Sequence, residues 1–385
     1  MVRSIFDGLT GIGNRLGINN KSPVKPVPLI VFESDDWGSI RMPSLKVKNE
    51  IGKYFPTIHK NPYMCFDSIE TDDDMMALFN LLQNHRDSFG RNAVITANCI
   101  GQNPDFDEIK KNGFSKYAGQ NFYQTYSEYQ GCHQSLYLQK QALESGLFFP
   151  QFHGREHLNV YRWMKALQKG EKELMHAFNH RMISFSRKEG KSPCISQFMD
   201  AMNVNGKEQM DDLLKHTGEG LQLFKDTWGF ASATMIAPCY FWHPHLENAV
   251  MEMGIRAFQG IRVQKIPMQN GNPYSYTKRN RRLGERNANG QYYLVRNAFF
   301  EPSTNPNINW IESCLAQISK AIKAYGVAII SVHRLNFMGS IDIENRDKNL
   351  KLFNSLLEAI PLMYKEYSYG TSADIVKWLD ESSKA

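Results

Sequence analysis

Short apolar runs alternate along this chain with longer segments whose apolar residues recur with the period of a helix. The runs are rich in valine, isoleucine and phenylalanine, which is typical of buried β-strands. The predicted strands lie at 27–32, 92–97, 147–152, 231–236, 255–259, 292–300 and 326–332. The clearest predicted helices lie at 74–86, 310–325 and 349–364, and a last strand and closing helix follow within 367–379. This alternation predicts an α/β fold, an irregular barrel of seven or eight (β/α) units with parallel strands and outer helices.

The pattern also suggests how the chain is organised. We expect a single barrel over 27–379, an N-terminal extension at 1–26 and a short tail at 380–385. The stretch at about 158–230 is too long for a simple crossover and has largely helical character. It therefore predicts a helical insertion beside the barrel, where insertions commonly shape access to a site.

A second addition is the segment at about 264–291, which is rich in Asn, Gly and Arg and contains the basic sequence Lys278-Arg-Asn-Arg-Arg282. We expect a solvated, flexible loop here. The alternative is a flap that contacts an anion, such as the phosphate of a lipid-linked glycan. The net charge of +6 is too modest and too dispersed to favour nucleic acid as a partner.

Composition favours a soluble enzyme. Of the 385 residues, 42% are hydrophobic and 22% are charged, which is enough to bury a large core. No apolar run is long enough to predict a transmembrane span, and the first residues lack the layout of a secretory signal. The six cysteines are scattered without paired spacing, which favours a reducing compartment, so we expect a cytoplasmic protein.

An apolar stripe in the N-terminal extension leaves two interpretations open. It consists of Ile5, Phe6, Leu9, Ile12 and Leu16, at helical spacing but interrupted by glycines. We favour packing against the barrel or a partner over peripheral contact with a membrane surface. The oligomeric state is left open by the sequence.

Three of the predicted strands end in side chains that bind metals or transfer protons. Asp35 and Asp36 follow the first strand, His153 and His157 follow the third, and His333 follows the last. In a parallel barrel the carboxyl ends of the strands share one face, so we expect these groups to lie together there. The alternative for the two aspartates is that they cap the following turn.

One carboxylate and two imidazoles form a common three-ligand set for zinc, with a fourth position open to water. Two histidines separated by three residues can point the same way if the segment between them makes a helical turn. Asp36, His153 and His157 can form such a set. The competing pairs are His176 with His180, which we interpret as a helix face, and His243 with His245, which is the weaker competitor.

The order of these motifs resembles that of the polysaccharide deacetylase family, the metal-dependent carbohydrate esterases of NodB type. Glu33-Ser-Asp-Asp-Trp37 resembles the family's Thr-Phe-Asp-Asp-Gly, and His153-Gly-Arg-Glu-His157 resembles its His-Ser/Thr-x-x-His. Ile330-Ser-Val-His333 resembles the last motif, in which a histidine closes an apolar strand. Where the family has Arg-x-Pro-Tyr, this chain has Ile236-Ala-Pro-Cys239 followed by Tyr240, so only the proline keeps its place.

The resemblance implies a NodB-type barrel and a role for each matching residue. Asp36, His153 and His157 are expected to bind a divalent metal, most often zinc. Asp35 is then the expected general base and His333 the expected general acid. Water activated by the metal attacks the amide carbonyl, and the amine of the sugar leaves protonated.

The third motif carries two further expectations from the resemblance. A backbone N–H after Pro238, at Cys239 or Tyr240, is the family's additional donor to the oxyanion. The family's arginine, which supports the catalytic aspartate, is missing because Ile236 stands in its place. The arginines that we consider as replacements are Arg155, Arg296 and Arg334.

Other residues near the motifs carry weaker expectations. Aromatic rings near the rim are candidates to stack on a sugar face, and Trp37 and Trp242 lie within a few residues of a motif. Glu301 ends another predicted strand and is a candidate either to tune His333 or to contact the substrate.

Three functions remain open from the sequence. The leading one is the hydrolytic removal of acetyl from an N-acetylated sugar of a polysaccharide or a lipid-linked glycan. The second is a glycoside hydrolase that pairs Asp35 or Asp36 with Glu301 and needs no metal. The third is a carbohydrate-binding barrel that has lost turnover, a possibility suggested by the missing arginine.

Overall fold

The computed structural model of the protein describes residues 27–185 and 192–382. Its strands are β1 (Leu29–Trp37), β2 (Ile95–Cys99), β3 (Gln102–Pro104), β4 (Gly119–Asn121), β5 (Phe148–Phe152), β6 (Thr234–Ile236), β7 (Ala257–Gly260), β8 (Val263–Pro267), β9 (Tyr276–Asn280), β10 (Tyr292–Val295), β11 (Ala298–Phe299), β12 (Val327–Ser331) and β13 (Ser368–Gly370). The predicted N-terminal extension at 1–26, with its apolar stripe, lies outside the described residues.

The α-helices of the described ranges surround these strands. They are α1 (Leu45–Tyr54), α2 (Pro62–Phe66), α3 (Asp72–Gln83), α4 (Phe106–Lys111), α5 (Phe122–Tyr126), α6 (Ser135–Glu144), α7 (Val160–Gln168), α8 (Lys172–Asn179), α9 (Pro193–Ser196), α10 (Lys207–Trp228), α11 (Pro244–Glu252), α12 (Trp310–Tyr325), α13 (Ile343–Met363) and α14 (Ser372–Ser382). Helix α14 covers the beginning of the predicted tail.

Nine strands form one parallel sheet that curls into an irregular barrel. Its order is β10-β7-β6-β5-β2-β1-β12-β11, and β13 pairs with β1 beside this path. The two edge strands, β10 and β11, are separated along the chain by Arg296 and Asn297 alone. The N–H of Arg296 donates to Gly260 O at one edge, and the N–H of Asn297 donates to Ile329 O at the other. One continuous segment therefore joins both edges and closes the curl.

Alternation along β1 explains why the strand reads as an unbroken apolar run. Ile30 and Phe32 pack toward the outer helices, with Phe353 of α13 among their neighbours. Leu29 and Val31 belong to a separate cluster with residues of the other strands and of α14. Because successive side chains of a strand point to opposite faces and both faces are covered, every position is buried.

The predicted fold class is confirmed, and the differences lie at boundaries. Each predicted strand overlaps a strand of the barrel sheet, but the stretch at 292–300 forms two strands instead of one. It breaks at Arg296 because that residue crosses from one edge of the sheet to the other. The helices predicted at 74–86, 310–325 and 349–364 correspond to α3, α12 and α13.

The two predicted additions both have regular structure. The stretch at about 158–230 contains helices α7 to α10, and Trp163 of α7 packs with Phe178 of α8 and Phe106 of α4. The basic segment at about 264–291 differs from the expected loop, because β8 and β9 pair as an antiparallel hairpin. The hairpin is attached to the barrel: Trp242 donates its N–H to Lys265 O, and Phe241 packs edge to face with Tyr276.

Among the described residues, no helix combines the length and the apolar character that crossing a membrane requires.

Candidate metal and catalytic site

Strand β1 delivers both aspartates to the carboxyl-end rim through a local irregularity. Its register with β2 pairs Ser34 with Ala97 and then Trp37 with Cys99, so β1 accommodates one extra residue between these pairs. The bulge places Asp36 at φ 77, in the left-handed region that non-glycine residues rarely adopt. Residues in such conformations cluster at functional sites. Here the side chain of Asp36 faces His153 and His157.

Asp36, His153 and His157 meet at this rim. The Nε2 atoms of His153 and His157 lie 3.4 and 3.3 Å from the same Asp36 oxygen, Oδ1. Their ligand atoms all lie within 4.8 Å of one another, and all three residues are buried. The residues that the sequence grouped as metal ligands are therefore brought together, although they come from β1 and from the turn after β5.

The protonation of these groups suits a divalent cation. The Nδ1 atom of His153 donates to Ile236 O at 2.9 Å, so Nε2 is the ring nitrogen that faces Asp36. Burial lowers the pKa of His157 to about 3, despite the opposing charge of Asp36, so this imidazole is neutral. Despite its burial, Asp36 has a pKa well below its usual range, because Arg41 and the histidines surround it. Two imidazoles and a carboxylate are a donor set that fits zinc.

Arg41 holds the other oxygen of the Asp36 carboxylate. Its Nη2 donates to Asp36 Oδ2 at 3.0 Å, and its Nε lies 2.9 Å from Asp67 Oδ2. Asp67 in turn accepts from Arg334, whose Nη1 donates to Glu70 at 2.6 Å. All of these side chains are buried. Through Arg41 and Asp67, the network connects Asp36 to Arg334, the residue that follows His333.

Arg296 is the candidate arginine that contacts Asp35. Its Nη1 and Nη2 donate to the two oxygens of Asp35 at 2.7 and 2.6 Å, and its Nε donates to Glu33 at 2.7 Å. Although burial favours the protonated acid, the charge and hydrogen bonds of Arg296 lower the pKa of Asp35 below its usual range. Burial of Glu33 raises the pKa of that carboxyl group, and Arg296 offsets only part of the increase.

The other two candidate arginines have different partners. Arg155 pairs with Glu156 at 2.8 Å and with Glu219 of α10. Arg334 pairs with Asp67 and Glu70. Among the contacts of the described residues, neither has an ion pair or hydrogen bond to Asp35. Of the three candidates, Arg296 alone contacts it.

His333 lies beside Asp35 and is oriented by Glu301. Its Nδ1 lies 2.7 Å from Glu301 Oε1, and its backbone N–H donates to the same carboxylate. Its Nε2 lies 3.6 Å from Asp35 Oδ2. Burial disfavours the imidazolium, but the charges of Glu301 and Asp35 prevail and raise the pKa of His333 to about 9. His333 is therefore protonated at neutral pH. Glu301 is buried, and its carboxylate contacts both the ring and the backbone N–H of this histidine.

The turn after β6 adopts an unusual backbone conformation. It begins at buried Pro238, and Cys239 and Tyr240 both have positive φ, at 56 and 63. The N–H of Tyr240 donates to Ala237 O, so it is already used. Of the two backbone donors expected here, Cys239 N–H has no acceptor among the hydrogen bonds of residues 27–185 and 192–382.

The aromatic side chains differ from expectation. Trp37 is fully buried against Phe148, and Trp242 is buried in a stack on Phe258, so neither indole face is available to a sugar. Tyr63, which the sequence did not single out, is partly exposed instead. Its ring packs edge to face on His333 at 5.5 Å and lies under Arg41.

The competing histidine pairs lie elsewhere. His176 belongs to α8 and His180 ends it, and His180 Nε2 lies 3.5 Å from Glu50. His243 and His245 lie at the start of α11. In the described ranges, the residues that group with metal-binding geometry are Asp36, His153 and His157, without these pairs.

Comparisons with known proteins show similarity of fold alone. No protein-family model matches the sequence, and no curated protein matches it. Solved structures described as polysaccharide deacetylases align over nearly the whole chain. One from Mycobacterium smegmatis is 9% identical over 94% of this chain and 93% of its own, with a TM-score of 0.44. One from Pseudomonas aeruginosa PAO1 is 9% identical over 95% and 97%, also with a TM-score of 0.44.

A different kind of carbohydrate enzyme also aligns with most of this chain. A GH57 branching enzyme from Thermococcus kodakaraensis is 11% identical over 91% of this chain and 71% of its own, with a TM-score of 0.40. At these identities and TM-scores, none of these similarities carries an argument about the fold or about the choice between activities. The choice depends on the chemistry of the residues at the rim.

Proposed function

We propose that this protein is a metal-dependent hydrolase that removes acetyl from an N-acetylated sugar of a polysaccharide or a lipid-linked glycan. The observation that carries the proposal is that Asp35 directly precedes Asp36, which groups with two buried histidines, and also lies 3.6 Å from His333, whose raised pKa keeps it protonated. The order of the motifs along the sequence supports the acetyl-sugar substrate.

Asp36, His153 and His157 would hold the metal, and zinc suits the donor set best. When bound, the metal supplies a Lewis acid that polarises the acetyl carbonyl and lowers the pKa of water. The residues around the set keep it ready for a cation. The Ile236 carbonyl fixes the His153 ring, and Arg41 leaves only Oδ1 of Asp36 facing the histidines.

Asp35 acts as the base for the attacking water. Arg296 engages both of its oxygens, so the carboxylate is ionised and held in one orientation. A carboxylate with so low a pKa is a weak base, and its contribution therefore depends on water that is already acidified. Arg296 thus supports Asp35. The position where the resemblance leads us to expect an arginine is occupied by Ile236, which carries no charge.

His333 acts as the acid for the leaving group. Departure of a sugar amine requires a proton, because an amide anion is too poor a leaving group at neutral pH. Glu301 holds the imidazolium form and directs its Nε2 toward Asp35. We assign the backbone N–H of Cys239 as a donor to the oxyanion that forms on the acetyl carbonyl oxygen.

The contacts of Glu301 disfavour the glycoside hydrolase alternative. A glycosidase needs one carboxyl group free to protonate the glycosidic oxygen and a second free to attack or to activate water. Glu301 accepts hydrogen bonds from His333 and Asn336, and Asp35 is clamped by Arg296. The alternative of a barrel without turnover loses its main motivation, because Arg296 replaces the missing charge.

The test combines metal analysis with acetate release. We expect the purified protein to contain about one divalent metal per chain, and to release acetate from at least one of a panel of N-acetylated oligosaccharides. Chelation should abolish the release and zinc should restore it. Release of reducing ends without metal would favour the glycosidase, and bound metal without release of acetate from any substrate would favour the binding protein.

A further inference from the structure

Two cysteines that are distant in the sequence lie side by side at the barrel rim. Cys194 belongs to α9 of the insertion, and Cys239 is the central residue of the turn after β6. Met199 joins them: its N–H donates to Cys194 O at 2.8 Å, and its carbonyl accepts from Cys239 Sγ at 3.6 Å. Each thiol also shifts the pKa of the other through a side-chain hydrogen bond between them.

The pair differs from the other cysteines in exposure. Cys194 and Cys239 are each partly exposed, whereas the remaining four are buried. These four are Cys65, Cys99, Cys132 and Cys314. A small oxidant in solution can reach the pair, while a buried thiol in an apolar setting is inert.

The environment also makes the two thiols unequal. The hydrogen bond from Cys239, with the charge of Lys265, lowers the pKa of Cys194. The same hydrogen bond, together with burial, raises the pKa of Cys239. Lys265 is held close by its own hydrogen bond to Cys239 O at 3.2 Å. Cys194 is thus the thiolate that reacts first, and Cys239 is the partner that resolves the product.

We propose that Cys194 and Cys239 form a site of reversible thiol oxidation that takes hydrogen peroxide or another small hydroperoxide. The Cys194 thiolate attacks one peroxide oxygen, the O–O bond breaks, and the leaving hydroxide takes up a proton to become water. Cys239 then gives up its proton and attacks the sulfenic sulfur, an S–S bond forms, and the S–O bond breaks with loss of a second water. Two thiols are oxidised and one peroxide is reduced to two waters.

The disulfide would connect the insertion to the turn that presents Cys239 N–H. The site does not depend on the proposed hydrolase activity, because the covalent product can be measured in any case. If the hydrolase assignment holds as well, oxidation acts on the same turn that donates to the oxyanion, and acetate release should change with the redox state.

The experiment treats the reduced full-length protein with a small excess of hydrogen peroxide and determines its intact mass and peptide map. We expect the loss of two hydrogen atoms, with a cross-link between the peptides that contain Cys194 and Cys239, reversed by dithiothreitol. Cys239→Ser should instead trap a sulfenic acid on Cys194, which dimedone labels. Cys194→Ser should abolish both products, and the matched control Cys132→Ser should behave like the original protein.

Several results would overturn the proposal. They are a wild-type protein that keeps six thiols under these conditions, a cross-link that involves another cysteine, and dimedone labelling of Cys239 in place of Cys194. The mapping of the unmodified chain needs no variant, so the test stands even if a serine substitution prevents folding.

Discussion

Arg296 and Asp35 are 261 residues apart in sequence, yet the guanidinium grips both carboxylate oxygens at 2.6 and 2.7 Å. The contact is possible because Arg296 lies where the chain crosses between the two edges of the curled sheet. The residue that orients the proposed base is therefore also part of the segment that closes the barrel.

We predict that Arg296→Met both destabilises the protein and removes activity. Asp35 and Glu33 would remain buried without a counter-charge, which costs about 3–5 kcal/mol of unfolding free energy. Denaturant unfolding measures this cost, and acetate release should fall by at least about a hundredfold because Asp35 loses its orientation. The matched control is Arg91→Met, which breaks an exposed ion pair with Asp374 and should change stability by less than about 1 kcal/mol. Equal effects of the two substitutions would contradict the role given to Arg296.

The protonation state of His333 predicts the alkaline limb of the pH profile. Its pKa is raised to about 9, so the acid form is present below that pH and is lost above it. We expect the turnover rate at saturating substrate to fall about tenfold for each pH unit above 9.

Glu301→Gln tests the cause of this limb. The substitution removes the charge that most strongly opposes the effect of burial on His333, so the limb should move to lower pH. Glu312→Gln, at the start of α12, is the matched control and should leave the profile in place. A limb that stays at the same pH in Glu301→Gln would show that another group sets it.

Arg41 should influence metal affinity without being a ligand. Arg41→Met frees Asp36 Oδ2 and breaks the link to Asp67, so the carboxylate loses its fixed orientation. Loss of a partner that orients a ligand typically costs about 10–100-fold in affinity, and we expect a decrease of that size in a chelator competition assay. Affinity that is unchanged or tighter would mean that the positive charge of Arg41 opposes the cation more than it organises the site.

The strand pattern was readable from the sequence because buried strands on a two-sided sheet leave long apolar runs. The same pattern placed Asp35, Asp36, His153, His157 and His333 at strand ends, and the convergence follows from the parallel arrangement. The prediction that Trp37 and Trp242 stack on a sugar was wrong, because both side chains are buried. Closeness in sequence to a motif does not determine to which face of the sheet a side chain points.

What the sequence did not reveal depends on long-range contacts. Arg296 was one of three arginines that looked equivalent, and only the crossing between sheet edges distinguishes it. Arg41 and Tyr63 belong to no motif. Arg41 lies in the loop after β1 and Tyr63 in helix α2. Cys194 and Cys239 lack paired spacing, because their contact arises from an insertion that folds back onto a turn.

The central claim is that three residues from separate segments bind one metal ion, and anomalous diffraction at the zinc edge tests it most directly. Crystals grown with zinc should show one strong peak at about 2.0–2.2 Å from Asp36 Oδ1 and the Nε2 atoms of His153 and His157. Crystals of Asp36→Ala should lack that peak, while those of Asp73→Ala, an exposed aspartate in α3, should retain it. A peak bound by other residues, or none at saturating zinc, would contradict the account.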